Sequence, residues 1–242
     1  MKKIILTIFI LAALYMNVFS NTDYSFEVKI SGTGINNIIL IPGWSCSGEV
    51  WNETVAQIEK NNKCYVLTMK GFAGTKPEAA PDFRNWVKSI ADYIKEMKIK
   101  NPVIIGHSIG GGMAMILASE YPKLVSKIIV VDALPCLGAL SDSTFKAEAF
   151  PDCSEYVKQF SSMNDEQFYS MQNRSISGLM TDTFHREQVI QWAVKSDRNT
   201  LAQIFCQYLN TDMRELIKDI KCPALILLEG YFVNIKPAVD KQ

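Results

Sequence analysis

The chain has 242 residues, of which 48% are hydrophobic and 21% charged, and its 25 basic residues balance its 25 acidic residues. This composition excludes a disordered, collagen-like or low-complexity chain. Because the charges cancel and no block of basic residues occurs, we expect no nucleic-acid partner. Only two histidines are present, His107 and His185, which leaves few candidates for a histidine-based metal site or a histidine base. We expect no metal and no cofactor.

The N-terminus has the pattern of a secretory signal peptide. Two lysines precede the apolar run Ile4–Val18, and the residues before Asn21 suit cleavage after Ser20. A run of about 15 residues is short for a membrane span, so an uncleaved anchor is the less favoured alternative. We expect residues 1–20 to be removed and residues 21–242 to form one exported domain, periplasmic or secreted, without a stable membrane span.

Six cysteines are spread along the chain: Cys46, Cys64, Cys136, Cys153, Cys206 and Cys222. Their even number is compatible with disulfides in an oxidising compartment. The alternative is that they are small buried side chains, since free cysteine is among the most buried residue types. No C-x-x-C motif occurs, so zinc-binding and thioredoxin-like redox functions have no support.

Strand and helix patterns alternate along most of the chain. The predicted strands are Tyr24–Ile30, Ile38–Ile41, Cys64–Thr68, Val103–Ile105, Lys127–Asp132 and Ala224–Leu228. The predicted helices are Val50–Lys60, Asp82–Lys98, Gly111–Tyr121 and Met213–Ile220. This alternation predicts an α/β fold, a mostly parallel sheet with flanking helices. It stops over about 133–212, where we predict a helical insertion covering the carboxyl edge of the sheet, with helices such as Glu187–Val194 and Thr200–Tyr208.

The segment 106–110, Gly-His-Ser-Ile-Gly, matches the pattern G-x-S-x-G. It follows a predicted strand and leads directly into a predicted helix, which is the setting of a nucleophile elbow. We predict that Gly106 and Gly110 avoid steric clashes in this tight turn, and that Ser108 projects from the sheet as a nucleophile. The backbone N–H of Ile109, at the helix N-terminus, is predicted to stabilise an oxyanion. The alternative is a glycine-rich turn with an incidental serine.

With this motif in place, the chain resembles the α/β-hydrolase family, in particular its small, lid-bearing serine hydrolases. Ile39–Trp44 resembles the family's oxyanion loop, with proline where histidine is common, and the resemblance implies that the N–H of Trp44 is the second oxyanion donor. Leu67–Gly74 resembles a second loop of the family, although the usual aspartate is missing. The resemblance covers about residues 24–132 and 213–230, and it implies that the insertion between them is a lid.

The resemblance implies a chain order of serine, acid and then histidine. Asp132, at the end of a predicted strand, is the first candidate acid; it could instead bond backbone groups there, and Asp240 is a further candidate. His107 is expected to point into the packing of the sheet rather than at Ser108, and His185 to lie on a surface or to cap a helix. No histidine follows His185, so we expect the family's last strand, histidine loop and last helix to be missing, through C-terminal truncation.

The sequence therefore predicts an exported serine hydrolase that acts on a small-molecule acyl ester, with activity impaired by the missing histidine. The alternative is a non-catalytic binding protein of the same fold, or an inactive fragment. Large apolar residues of the insertion would either wall an acyl pocket or form the insertion's own core: Phe145, Phe150, Tyr156, Phe160, Phe168, Tyr169, Met171, Phe184 and Trp192.

Overall fold

The computed structural model of the protein describes residues 23–140, 142, 144–148 and 150–229. The predicted signal peptide and Asp240 lie outside these residues. The expected loss of a last strand and helix also concerns the chain beyond Glu229, so it stays a prediction.

The described residues form one sheet of six strands in the order β1-β3-β2-β4-β5-β6. The strands are β1 (Phe26–Ser31), β2 (Asn36–Ile41), β3 (Asn62–Met69), β4 (Val103–His107), β5 (Lys127–Val131) and β6 (Ala224–Leu227). Only β1 is antiparallel, pairing with β3, and every other pair is parallel. The apolar runs of the central strands are buried because helices cover both faces of the sheet. The prediction of a mostly parallel α/β sheet is confirmed.

Seven α-helices lie in the described part of the chain. They are α1 (Asn52–Ile58), α2 (Phe83–Glu96), α3 (Ile109–Glu120), α4 (Ser154–Ser162), α5 (Asp165–Leu179), α6 (Thr183–Lys195) and α7 (Arg198–Leu209). Helix α2 buries one apolar face, and the Asp82 carboxylate caps it by accepting from the Asn85 N–H at 2.7 Å. Helix α3 is buried along nearly its whole length, which places it at the centre of the fold. None of these helices is long and apolar enough to cross a bilayer.

Helices α4 to α7 form the insertion between β5 and β6. A disulfide between Cys153 and Cys206 joins the start of α4 to α7. Helices α5 and α6 pack on each other through a separate small core that contains Ile176 and Ile190. The insertion is therefore a helical unit with its own packing and one covalent tie.

The segment 213–220 differs from the predicted helix. It forms a 3-10 turn at Leu216–Asp219 instead. The Leu216 carbonyl accepts a hydrogen bond from the Ser119 hydroxyl of α3 at 2.7 Å, which ties the segment to that helix. Pro223 follows within a few residues and disfavours a continued helix. The prediction of a helix here is wrong because this tertiary contact and the nearby proline outweigh the apolar spacing.

Strand β6 lies at the edge of the described sheet and pairs only with β5 there. Its residues Leu225, Ile226 and Leu227 are 51%, 46% and 47% exposed. Because successive side chains of a strand point to opposite faces, both faces of β6 are open as well as its edge. Uncharged, open edges of this kind favour association with other strands.

Candidate active site

Ser108 stands at the junction of β4 and α3 in a strained conformation, with φ 52° and ψ −119°. A non-glycine residue in this region costs about 1–3 kcal/mol and persists only when its surroundings hold it. The Ser108 N–H donates to the Val131 carbonyl of β5 at 2.8 Å, and its own carbonyl accepts from the Gly112 N–H at 3.1 Å. The residue is partly exposed. The strand, the helix and the neighbouring strand therefore fix the serine at the carboxyl edge of the sheet.

The elbow brings two backbone segments too close for a side chain. A Cβ at Gly106 would lie 2.1 Å from the Gly110 carbonyl oxygen. A Cβ at Gly110 would lie 2.5 Å from the Ile41 carbonyl oxygen at the end of β2. These contacts give a steric reason for both glycines of the motif.

The loop after β2 runs directly beside the nucleophile. A Cβ at Gly43 would lie 3.6 Å from the Ser108 Cβ. A hydrogen bond of 3.2 Å from the Cys46 N–H to the Gly43 carbonyl closes a turn with Trp44 and Ser45 at its centre. The described residues provide no acceptor for the Trp44 N–H. With the Ile109 N–H at the start of α3, this geometry suits a pair of oxyanion donors.

The Trp44 side chain points into the insertion. Its indole N–H donates to the Leu201 carbonyl of α7 at 3.1 Å. Its ring centroid lies 5.4 Å from that of Phe205 and 6.1 Å from that of Phe160. The Tyr156 ring follows at 6.1 Å from Phe205. An aromatic group therefore adjoins the loop that carries the predicted donor.

Several residues that could have walled an acyl pocket lie elsewhere. Phe168 is fully buried in the core, whereas Phe150 and Phe184 are 94% and 86% exposed. The aromatic composition of the insertion does not determine the direction of its side chains, so the sequence could not distinguish these positions. Phe205 adjoins Trp44 and was missed because it sits in a helix that looked like ordinary packing.

Asp132 follows β5 directly, at the carboxyl edge. Its φ is 54°, and its N–H donates to the Leu227 carbonyl of β6 at 2.7 Å. Its carboxylate accepts from the Glu229 N–H at 3.2 Å. The structure thus brings Asp132 to the same edge of the sheet as Ser108. The hydrogen bond of its carboxylate to a backbone N–H is the one expected for the alternative, structural role.

His107 packs against the loop after β2. A Cβ at Gly43 would stand 2.7 Å from its Nδ1. Burial lowers the pKa of its imidazole, and the nearby Asp132 carboxylate opposes that effect. The ring is therefore mostly neutral near pH 7. In the part of the chain that the structure describes, no side chain hydrogen-bonds the Ser108 hydroxyl.

His185 lies at the start of α6. Its Nδ1 is 2.6 Å from the Asp182 carboxylate, and its Nε2 is 4.0 Å from the Glu53 carboxylate of α1. The hydrogen bond with Asp182 raises the pKa of its imidazole. About 15 Å of helix separates His185 from the end of α6 that contacts the Ser45 loop. The structure does not bring it to Ser108.

Sequence reasoning missed the junction of α6 and α7, which joins the insertion to two loops of the site. The Ser196 hydroxyl accepts from the Ala73 N–H at 2.8 Å and lies 3.4 Å from the Ser45 carbonyl oxygen. The Asp197 N–H donates to the Gly71 carbonyl at 2.7 Å. The one available signal was Ser-Asp ahead of a helical pattern, which indicates a helix cap and not a tertiary contact.

The family model described as alpha/beta hydrolase fold matches residues 36–174, more than half of the chain. The chain belongs to the α/β-hydrolase family. Among curated relatives, a pimeloyl-[acyl-carrier protein] methyl ester esterase of Vibrio atlanticus is 25% identical over 219 residues, covering 87% of this chain and 82% of the relative. The corresponding esterase of Vibrio cholerae is 23% identical, covering 87% and 80%.

Solved structures agree on the fold of this α/β-hydrolase. A hydrolase from Oleispira antarctica has a TM-score of 0.69 at 18% identity, covering 86% of this chain and 77% of that one. The enol-lactonase from Burkholderia xenovorans has a TM-score of 0.69 at 14% identity, covering 84% and 77%. The prediction of an α/β-hydrolase is confirmed, and the curated relatives are hydrolases of carboxylic esters, as predicted for this chain. Among the described residues, no group of three or more His, Cys, Asp or Glu side chains is placed to hold a metal ion.

Proposed function

We propose that the chain cleaves carboxylic esters with Ser108 as nucleophile and the N–H groups of Ile109 and Trp44 as oxyanion donors. The observation that carries this proposal is the strained Ser108 backbone at the start of α3, beside Gly43. Attack of the serine oxygen on the ester carbonyl places negative charge on the carbonyl oxygen, where the two N–H groups stabilise it. The serine proton passes to a base and then to the leaving alcohol, and water hydrolyses the acyl-enzyme.

The substrate proposed is an ester with an apolar acyl chain and a small alcohol. The partly exposed rings of Trp44, Phe205 and Tyr156 lie beside the loop with the predicted donor, and they suit an apolar chain. The pimeloyl methyl ester esterases among the relatives favour a methyl ester. Methyl esters of graded acyl length therefore form the test series, with rates expected to rise with acyl length up to a limit.

We also propose that Asp132 is the acid and that turnover by this chain alone is slow. Two observations support a missing base. Among the described residues His107 packs against Gly43 without a hydrogen bond to the Ser108 hydroxyl, and His185 lies at the far end of α6. Loss of one member of a catalytic triad leaves about a 10³- to 10⁴-fold rate over water. Added imidazole supplies a mobile base and is expected to raise turnover in proportion to its concentration. An absence of any imidazole effect contradicts the proposal of a missing base.

A fluorophosphonate probe tests the nucleophile directly, because it records one covalent event and needs no turnover. Imidazole is added in every labelling experiment to supply the base that the proposal takes to be missing. We expect labelling of the wild type at Ser108, identified by peptide mass, and none of Ser108→Ala. Ser161→Ala is the matched control, since its hydroxyl bonds only to carbonyls of its own helix. Labelling that persists in Ser108→Ala would place the nucleophile elsewhere.

The second candidate function is a non-catalytic binding protein, favoured by the absence of a side chain hydrogen-bonded to the Ser108 hydroxyl among the described residues. In that case the folded wild type, with a cooperative unfolding transition, takes up no fluorophosphonate. It still binds a fatty acid or its methyl ester in calorimetry. Labelling of Ser108 excludes this candidate.

Export of the protein is also proposed. Two features support it, the signal-like N-terminus and the Cys153–Cys206 disulfide, which is typical of oxidising compartments. In a secreting host, we expect the exported protein to begin at Asn21 by N-terminal sequencing. Full-length protein retained in the cytoplasm contradicts the proposal.

A further inference from the structure

The turn that carries the predicted oxyanion donor Trp44 is itself strained. Ser45 follows Trp44 in the turn and has a φ of 62°. A positive φ at the third position of a turn suits glycine, and a serine there is held at a cost. The turn's own hydrogen bond, from the Cys46 N–H to the Gly43 carbonyl, is 3.2 Å long. The conformation therefore depends on contacts from outside the loop.

Those contacts come from the junction of α6 and α7 in the insertion. The indole of Trp44 donates to the Leu201 carbonyl at 3.1 Å, which holds one side of the turn. On the other side, the Ser196 hydroxyl lies 3.4 Å from the Ser45 carbonyl oxygen. The single proton of this hydroxyl is shared between the Ser45 carbonyl and the Trp192 carbonyl, whose oxygen lies at 2.8 Å. The hydroxyl oxygen also accepts from the Ala73 N–H at 2.8 Å. Ser196 is buried, so water does not compete for these bonds.

We infer that Ser196 is a positioning residue for ester hydrolysis, because it holds the Trp44–Ser45 turn in the conformation that directs the Trp44 N–H to the oxyanion. This inference rests on the proposed function of Ser108. Among the described residues, the hydroxyl of Ser196 contacts backbone atoms of Ser45, Ala73 and Trp192 and not Ser108, so it acts through the backbone of the turn. The insertion thereby contributes to the alignment of the oxyanion donors as well as to the surroundings of the substrate.

The test exploits the strain at Ser45. Loss of a whole oxyanion donor costs about 10²- to 10³-fold in rate, and its misplacement costs part of that. We expect Ser196→Ala to lower the limiting rate of fluorophosphonate labelling about tenfold, with little change in the probe concentration that gives half of that rate. Ser45→Gly allows the positive φ without strain. In the Ser45→Gly background, Ser196→Ala is therefore expected to lose less than threefold.

The matched control is Ser161→Ala, which removes a serine hydroxyl from the same insertion without touching the turn. It is expected to label at the wild-type rate. If Ser196→Ala acts only by loosening the insertion, Ser45→Gly gives no rescue and the half-saturating probe concentration rises. That outcome overturns the inference, as does an unchanged rate in Ser196→Ala.

Amide hydrogen exchange separates this inference from the proposed function. We expect Ser196→Ala to speed exchange in peptides that contain Cys46 and Ala73, whether or not Ser108 reacts. If the wild type does not label, the proposed function fails, and the exchange result alone decides whether Ser196 holds the turn. Unchanged exchange at both peptides contradicts the holding contact.

Discussion

The backbone of Gly106 lies so close to Gly110 that a Cβ on the first residue would stand 2.1 Å from the carbonyl oxygen of the second. The last residues of β4 and the first turn of α3 are thus in contact through their backbones. This contact forces the sharp reversal that exposes Ser108.

Gly106→Ala is therefore expected to destabilise the fold by more than about 3 kcal/mol, because backbone atoms cannot yield to the added methyl group. Gly178→Ala in α5 is the matched control, since apart from its chain neighbours and the backbone of its own helix no described atom lies within 4 Å of its Cβ position. It should gain up to about 1 kcal/mol from helix propensity. Urea unfolding measures both changes. Equal stability of the two variants contradicts the contact.

Asp132→Asn tests the acid without changing the shape of the residue. Asparagine tolerates the positive φ at this position and can still accept from the Glu229 N–H. We expect stability to change by less than about 1 kcal/mol. The fluorophosphonate labelling rate, with imidazole present, is expected to fall at least about tenfold, since the acid orients and stabilises a protonated base. An unchanged rate assigns Asp132 a structural role alone.

Reduction of the Cys153–Cys206 disulfide is expected to lower the free energy of unfolding by about 2–4 kcal/mol, because the bond closes a long loop in the unfolded chain. Denaturant unfolding with and without reductant measures the loss. The double variant Cys153→Ser with Cys206→Ser serves as the control, in which reductant should have no effect. A reductant effect that persists in the double variant would locate the sensitive cysteine elsewhere.

The contact of His185 with Asp182 predicts a pH dependence at the start of α6. The pKa of His185 is raised above its ordinary value by the Asp182 carboxylate, with a smaller contribution from Glu53. The contact therefore stabilises the helix fully below the unfolded pKa of about 6.5, and that stabilisation is lost as the pH rises through the folded pKa. NMR titration of the imidazole measures the shift.

Asp182→Asn is the sharpest variant for this titration. It keeps a side-chain oxygen for the Phe184 N–H that Asp182 now caps at 2.8 Å, and it removes the charge. The pKa of His185 is expected to fall towards the ordinary value. A pKa that stays raised in this variant would assign the shift to another group, with Glu53→Gln as the next variant to titrate.

The sheet and the elbow could be predicted because both depend on local patterns. Apolar runs marked the strands, and the motif around Ser108 fell between a strand and a helix. The contact of Ser196 with Ser45 could not be predicted, since it joins residues far apart in sequence through the path of the insertion. The prediction that Phe150 and Phe184 lie in a pocket or in the core of the insertion failed for a related reason, because both side chains are exposed. Hydrophobicity indicates that a side chain favours burial, but the tertiary packing determines which hydrophobic side chains are buried.

The disulfide also bears on the order in which the protein folds. Val131 of β5 pairs with Leu227 of β6. The pairing of these two strands therefore closes a loop that contains the whole insertion. The Cys153–Cys206 bond bypasses a segment with a sequence separation of 53. Shortening the effective loop by about half lowers its closure cost by about 0.6 kcal/mol. Oxidation during synthesis would thus favour early pairing of β6, whose exposed leucines and isoleucine otherwise remain unpaired longest.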